Sequence, residues 1–431
     1  MQDIFTTLEE RGFMGQLTDP ALRDLCAQGM VTFYIGFDPT ADSLHIGSLK
    51  QIMMMAQFQR HGHRPIPVVG GGTGMIGDPS GKKQERKLLS REDIQKNLEG
   101  IRGQLAHFMD FSPNLPNATI ILNNFDWLGQ FSFIDFLRDV GKHFRVGEML
   151  GKESVRVRIQ SEEGMSFTEF CYQLLQAYDF LYLNDHYNCV LQCGGSDQWG
   201  NITAGIELIR KLRGKPAYGL TTPLVVTATG QKFGKTEAGT IWLSAERTSP
   251  FEFYQYWVRT DDRDVIPFLK IFTFLPLEEI NEIERRMKED PSKREAQKIL
   301  AKEVSALVHG VSISTITETV SGALYGDQPI DPNVLLSDGT INQEEYFKYI
   351  DAVRVKKALI ENGMPVVDLL VTSGLLKSKN EARRGIQGGG VSINEVKVSS
   401  IDQKVCKADL QSDIMLKINF GRKTKVIIFE D

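Results

Sequence analysis

Four short apolar runs punctuate the first half of the chain: Val31–Phe37, Pro65–Gly71, Thr119–Asn123 and Cys189–Cys193. Each is closed by Gly, Asp or Asn, the pattern of a buried strand meeting a turn. Between and after them, apolar positions recur at three- and four-residue spacing. This predicts helices over Leu44–Arg60, Ser90–Phe108, Phe131–Val140, Phe167–Leu183 and Gln198–Leu212. Alternating strands and helices predict an α/β domain built on a parallel sheet. From about residue 250 the strand signal fades, and Phe251–Val258, Val265–Phe274, Leu277–Lys288 and Lys293–Val308 read as helices. Leu324–Thr340 is rich in Pro, Gly and Asp, the composition of a linker. Two short helices, Val366–Ser373 and Lys379–Gln387, and β-type runs at Val391–Val398 and Met415–Phe429 then predict a small α+β domain. The expected division is 1–245, 246–323, a linker 324–350, and 351–431.

In a parallel sheet ligands bind beyond the carboxyl ends of the strands, so the residues after each strand carry the candidate chemistry. After the first strand comes Asp-Pro-Thr-Ala-Asp-Ser-Leu-His-Ile-Gly-Ser. Asp42 and Ser43 are expected to cap a helix starting near Leu44, placing His45 and Gly47 in its first turn. Unpaired N–H groups and the positive dipole end make such a turn suited to an anion. After the second strand, Gly70-Gly-Gly-Thr-Gly-Met-Ile-Gly-Asp78 leads into Lys82, Lys83 and Arg86, a cationic loop that lacks the P-loop spacing. Tyr172, Gln176 and Asp179 share one stripe of an apolar helix and need polar partners or a ligand. Gly194-Gly-Ser-Asp-Gln follows the fourth strand. Gly230-Gln-Lys-Phe-Gly-Lys-Thr is a basic, glycine-hinged loop able to close on a polyphosphate. Each cluster taken alone also reads blandly, as a cap, a mobile loop or a solvated face.

Composition adds bounds. Of the 431 residues, 41% are hydrophobic and 24% charged, the balance of an ordinary globular protein of more than one domain. No apolar window is long enough for a membrane span, and the first residues lack a basic segment followed by an apolar block, so a cytoplasmic protein is expected. Five cysteines without metal-site spacing read as free thiols, and no metal site is expected. The net charge of −5 is uneven, about +4 over residues 351–431 and −9 over the rest. A basic tail on an acidic body suits a polyanion partner.

The order of the clusters carries a resemblance. His-Ile-Gly-Ser after the first strand and Lys-Phe-Gly-Lys-Thr late in the domain resemble the two signatures of class I aminoacyl-tRNA synthetases. Y-I-G-F-D-P-T-A-D-S-L-H, G-G-T-G-M-I-G-D-P-S-G, S-F-T-E-F, L-L-Q-A-Y-D-F and G-G-S-D-Q-W-G-N-I resemble the bacterial-type tyrosyl-tRNA synthetases over essentially the whole chain. The tail resembles the small RNA-binding module shared with a ribosomal small-subunit protein. The resemblance implies a Rossmann-like catalytic domain, an α-helical domain and a small α+β RNA-binding domain. It implies a homodimer that activates L-tyrosine with MgATP, releases pyrophosphate, and passes the tyrosyl group to the 3′-terminal adenosine of tRNA(Tyr).

Position by position, it assigns Tyr34 and Asp179 to the phenol hydroxyl, and Asp78, Tyr172 and Gln176 to the α-ammonium with Gln198 nearby. Thr40 and His45 would meet the α-phosphate transition state and the leaving pyrophosphate. Lys82, Arg86, Lys232, Lys235 and Thr236 would grip the β- and γ-phosphates. Gly36, Asp38, Gly47, Ser48, Gly195 and Asp197 would line the ATP site. Lys377, Lys379, Arg383, Arg384 and Lys397 are expected to contact tRNA phosphates. A carboxylate attacking phosphorus needs positioning and donors for developing charge, and no nucleophilic side chain. Phenylalanine would leave Tyr34 and Asp179 buried and unpaired, a rule for which tyrosyl-tRNA synthetases are themselves the usual illustration. Ile35, Ser48 and Gln51 depart from the family's common residues where the ATP ribose is expected. A tryptophanyl-tRNA synthetase, a non-catalytic RNA-binding descendant and another nucleotidyltransferase are the competing readings.

Overall fold

Five strands form the principal sheet: β1 (Thr32–Phe37), β2 (Arg64–Val69), β3 (Leu122–Asn123), β4 (Cys189–Gly195) and β5 (Tyr218–Thr222). All neighbours run parallel, in the order β3-β2-β1-β4-β5. Tyr34 of β1 lies opposite Ile66 of β2 and Gln192 of β4. Pro65 and Pro67 lack a ladder N–H, and β3 pairs only with Val68 and Val69, beyond them. The strand order reverses between β1 and β4, the switch point where such sheets open a crevice. The structure is a computed structural model and describes residues 3–80, 90–161, 164–230, 233–236, 239–325, 352–411, 415–421 and 423–430.

The described chain divides into two compact units, 1–248 with 259–300, and 249–258 with 301–431. In the first, the sheet is covered by long helices. Ile46–Arg60 buries Ile46, Leu49, Ile52, Met53, Met54, Met55 and Phe58. Phe167–Tyr187 starts in a capping box, in which the Ser166 hydroxyl accepts from the Glu169 amide and the Glu169 carboxylate accepts from the Ser166 amide. It ends at Asn188 in the left-handed region, φ 51°. Both Glu169 carboxylate oxygens also accept from the buried Arg158 guanidinium, at 2.9 and 2.7 Å. Trp199–Arg213 packs against this helix, and Gly205 allows the approach, because a Cβ there would lie 3.0 Å from the Phe180 side chain. A hairpin of β6 (Lys235–Thr236) and β7 (Gly239–Thr240) follows.

The first helix after β1 begins at Ile46, two residues past Leu44, and its cap is His45 rather than Asp42 or Ser43. Leu44 is held outside the helix, its N–H donating to Gln104 Oε1 and its carbonyl accepting from Leu243 N. Asp42 is paired with Arg247, and Ser43 Oγ donates to Leu44 O and accepts from Ser244 N. Strand β5 shows no clear signal in the sequence, because Tyr-Gly-Leu-Thr-Thr has neither an apolar run nor a clean alternation.

The second unit contains the helices Pro250–Val258 and Val311–Tyr325, joined by a Gln255 Nε2 to Ser321 Oγ hydrogen bond of 2.7 Å. Its carboxyl-terminal part is a sheet of β8 (Ala352–Lys356), β10 (Val391–Ile393), β11 (Val396–Lys397), β13 (Met415–Phe420) and β14 (Lys423–Glu430). The order is β11-β10-β13-β14-β8, parallel only between β14 and β8. A second ladder joins β9 (Met364–Pro365) to β12 (Lys404–Val405). The helices Val366–Thr372 and Lys379–Gln387 bury Val366, Leu369, Leu370 and Ile386 in a core shared with Leu416, Ile418, Ile427 and Phe429. The expected linker lies almost wholly outside the described residues.

Candidate active site

A cavity of about 310 Å³ opens at the carboxyl ends of β1 and β4. Its lining includes Tyr34, Gly36, Asp38, Thr40, His45, Gly47, Ser48, Asp78, Tyr172, Gln176, Asp179, Gly195, Asp197 and Gln198. Residues spread over more than 160 positions converge because each lies in or just after a strand, or on a helix beside the sheet. Gln51 and Leu224 line it as well. Lys82, Arg86 and Lys232 lie outside the described residues. Lys235 and Thr236 are described as backbone only, in the β6–β7 hairpin.

One end is buried and acidic. Tyr34 is 1% exposed, its ring tilted against Phe180 at 5.4 Å, and its hydroxyl donates to Gln176 O at 3.4 Å. Burial and the nearby Asp179 carboxylate push its phenol well above the usual range, so it stays protonated. Asp179, 3% exposed, accepts from Asn124 Nδ2 at 2.9 Å and Trp127 Nε1 at 2.7 Å. Burial raises its carboxyl to about 7, against the pull of those two donors, with Asp38 adding to the rise. Asp78 accepts from Ser80 N at 2.9 Å and Gln198 Nε2 at 2.7 Å, and burial with the Asp38 charge raises it to about 6. Asp38 accepts from Thr73 Oγ1 at 2.9 Å and from the Tyr172 hydroxyl at 3.0 Å. Asn201 Nδ2 ties Gln176 Oε1 at 3.1 Å to Gln198 Oε1 at 3.2 Å. Four carboxylates line the cavity, and Asp38, Asp78 and Asp179 gathered at this end make a field suited to an ammonium group.

Two glycines make this packing possible. At Gly70 a Cβ would lie 2.3 Å from Asp38 Oδ1, and at Gly71 another would lie 2.0 Å from Asn123 Oδ1. Gly36, by contrast, faces open space within a buried strand.

The other end is more exposed. His45 caps the Ile46–Arg60 helix, its Nδ1 accepting from Gly47 N at 3.0 Å. A neutral ring so placed carries its proton on Nε2, which makes Nε2 the donor. Gly47 is required by this cap, since a Cβ would fall 2.7 Å from His45 Cε1. Ser48 N donates to His45 O at 2.8 Å. Among the described residues the Thr40 hydroxyl makes no hydrogen bond, and its amide donates to Asp38 O. The segment that follows the β6–β7 hairpin touches the first signature, with His45 and Trp242 bridged as in a sheet and Ile46 N donating to Ile241 O at 3.1 Å.

The sequence reading missed Asn124, Trp127, Thr73 and Asn201. Asn124 and Trp127 follow the third predicted strand, where the rule of reading past strand ends points. In the tail, Lys377, Lys379, Arg383, Arg384 and Lys397 are exposed, Lys379 paired with Asp368 at 2.7 Å and Arg383 donating to Asn380 Oδ1. Among the described residues no group of three His, Cys, Asp or Glu gathers as a metal cluster, and no helix is long and apolar enough to cross a membrane.

Residues 27–325 match the family described as tRNA synthetases class I (W and Y), and residues 343–428 match the tyrosine–tRNA ligase SYY-like C-terminal domain. The chain is 48% identical over 424 residues to the tyrosine–tRNA ligase of Roseiflexus castenholzii, covering 98% of each. It is 51% identical over 402 residues to that of Geobacillus stearothermophilus, covering 93% of each. A truncated mitochondrial tyrosyl-tRNA synthetase of Coccidioides posadasii superposes with a TM-score of 0.65 at 34% identity, covering 74% of this chain and 92% of that one.

Proposed function

The chain belongs to the class I tyrosyl-tRNA synthetases, the tyrosine–tRNA ligases, and from that premise we propose how its cavity divides the reaction. The carrying observation is the buried pair Tyr34 and Asp179, the latter held by Asn124 and Trp127. Tyrosine enters phenol first. Its hydroxyl donates to the Asp179 carboxylate and accepts from Tyr34, and its ammonium meets Asp78, Tyr172 and Gln176, with Gln198 behind. A tryptophan side chain offers no hydroxyl to this pair, which disfavours the tryptophanyl reading.

ATP enters as its magnesium complex over Gly36, Gly47 and Gly195, with Asp38, Ser48 and Asp197 along the nucleoside. The tyrosine carboxylate attacks the α-phosphorus. One P–O bond forms, the bond to pyrophosphate breaks, and the electron pair leaves with pyrophosphate. Thr40 and His45 Nε2 donate to the charge that builds there. Lys82, Arg86, Lys232, Lys235 and Thr236 carry the β- and γ-phosphates. The tyrosyl group then passes to the 3′-terminal adenosine of tRNA. The residue roles stand or fall together on pyrophosphate exchange with tyrosine, phenylalanine and tryptophan. Exchange with tyrosine alone is expected, and equal exchange with phenylalanine overturns the pocket assignment.

Two further elements belong to this reading. Residues 351–431 hold the tRNA, Lys377, Lys379, Arg383, Arg384 and Lys397 meeting phosphates, so binding weakens as salt rises. A chain truncated after Thr340 is expected to form adenylate but charge tRNA poorly, and full charging by it overturns the role of the tail. The homodimer is supported by exposed apolar side chains between 133 and 167, among them Phe133 at 64%, Ile134 at 68% and Phe167 at 65%. Sedimentation is expected to show a dimer that Ile134→Asp weakens. The protein works in the cytoplasm.

A further inference from the structure

The loop that leads from β5 into the β6–β7 hairpin is fastened to a helix that contributes nothing to the cavity. Asp264, in the first turn of the Asp262–Phe272 helix, accepts from the Ala228 amide with both carboxylate oxygens at 3.0 Å. It is only 9% exposed, and among the described residues these are its side chain's hydrogen bonds. A carboxylate taken from water for one loop amide is an expensive way to gain stability alone. Five residues along the loop, Phe233 stacks on Phe272 with ring centroids 5.3 Å apart and planes 3° from parallel, and meets Phe268 edge-on at 5.3 Å. Phe233 is buried, although it stands between two positions that carry lysine.

The next residue locks the same stretch to the first signature. Gly234 has φ +83°, and a Cβ on it would lie 3.1 Å from Ile46 Cγ1 and 3.4 Å from Gly47 N. Farther back, the buried Lys50 donates to Pro223 O at 2.9 Å. The loop is therefore gripped from two sides, by the helix that His45 caps and by the Asp262–Phe272 helix.

The geometry points to Asp264, Phe268 and Phe272 as positioning residues of adenylate formation, which set where the basic signature loop stands relative to His45. This rests on the reading that Lys232 and Lys235 hold the departing phosphates. It adds that the described part of their loop is held from outside the cavity, by a clasp at Ala228 and an aromatic socket at Phe233. Once pyrophosphate has left, the loop has no further part, so the two half-reactions respond differently.

The test measures both half-reactions separately in the full-length protein. Asp264→Ala is expected to lower kcat for tyrosine-dependent pyrophosphate exchange by roughly 10-fold or more, since a displacement near 1 Å can cost up to about 100-fold. The KM for tyrosine and the transfer rate from preformed adenylate to tRNA stay within about twofold. Asp264→Asn keeps one acceptor for Ala228 and restores most of the rate. Phe272→Leu keeps the socket apolar but loses the stacked ring, and shows the same split at smaller size. Amide hydrogen exchange gives a readout independent of activity, with faster exchange expected at Ala228 and Ile241 in Asp264→Ala and unchanged exchange along β1. Equal losses in both half-reactions, or wild-type exchange rates with unchanged Ala228 protection, overturn the inference. Absence of pyrophosphate exchange in the wild-type protein overturns the functional reading instead, and unchanged protection of Ala228 would still overturn the clasp.

Discussion

On the proposed division of the cavity, its two ends solve opposite problems with different materials. At the phenol end, Tyr34, Asp78 and Asp179 are buried, and each carboxylate there has two donors within 3.0 Å. At the end proposed for the phosphates, Thr40 and Gly47 are exposed, His45 and Ser48 half-buried, and His45 caps a helix start. An uncharged hydroxyl is told from a hydrogen atom only where water cannot substitute for it, so the site must be dry and its polar groups already aimed. A polyphosphate brings its own charge and must later leave, so exposed donors that can let go serve better. Buried networks are also the less forgiving, because removing one member strands the others.

Removing Asp179 breaks the comparison at its strongest point. Asp179→Ala leaves Asn124, Trp127 and the bound phenol without their acceptor, and a buried charged partner lost in this way costs about 2–5 kcal/mol. Loss of tyrosine activation is expected, roughly 100-fold or more in kcat/KM for exchange, with the KM for ATP little changed. Exchange at the wild-type rate removes Asp179 from the site.

Gly47→Ala attacks the exposed end. The new methyl overlaps the His45 ring, so either the cap is lost or the helix start shifts. Misplacing one donor to a developing charge costs roughly 10- to 100-fold in the rate of adenylate formation. Tyrosine affinity, set at the far end, is expected to hold. A variant in which tyrosine affinity falls as much as rate would show that the two ends are not separable.

Acidity distinguishes them next. Asp78 and Asp179 have carboxyls raised to about 6 and 7, so the folded, empty protein holds protons that the unfolded chain has already lost. Their contribution to stability is present in acid and is lost as the pH rises through 6 and 7. In the proposed site tyrosine needs both as anions, so its affinity is expected to move the other way and fall as pH drops through the same window, by up to about tenfold per unit for one group. Trp127→Phe removes a donor that favours the anion, which shifts the fall to higher pH and weakens tyrosine binding by roughly tenfold. Tyrosine titrations between pH 5 and 8 check both, and a flat profile would show that neither carboxyl changes charge there.

The same contrast explains what could be read from the chain. The strands β1, β2 and β4 and the long helices are legible because burial on both faces forces apolar runs, and a helix covering a sheet needs a repeating apolar stripe. Tyr172, Gln176 and Asp179 stand out as polar positions in an apolar helix, and their spacing alone puts them on one side. Asn124 and Trp127 carry no such mark. They lie 55 and 52 residues from Asp179, and only the sheet order, with β3 at one edge, places them at its carboxylate. Gly47 was legible as a glycine near a helix start but not as the space for the His45 ring, since a cap through an imidazole nitrogen has no distinct spacing. The parallel strand β8 was missed because its partner β14 is about 70 residues away and its own face is half exposed.

The smallest effect is expected at Ser48. Ser48 sits in the first turn of the helix capped by His45, its amide bonded to His45 O and its side chain on the cavity lining. The amide bond is independent of the side chain, so the cap survives substitution. Ser48→His adds a ring at the mouth of the nucleotide end, away from Tyr34 and Asp179. The KM for ATP is expected to change by no more than about threefold, within the range of a single exposed contact. The preference for tyrosine over phenylalanine is expected to stay as it was, because the groups that enforce it are buried at the other end. A large change in that preference would mean that the nucleotide end reports on the phenol, for which the Asp38–Tyr172 and Asp38–Thr73–Asn124–Asp179 hydrogen bonds are routes.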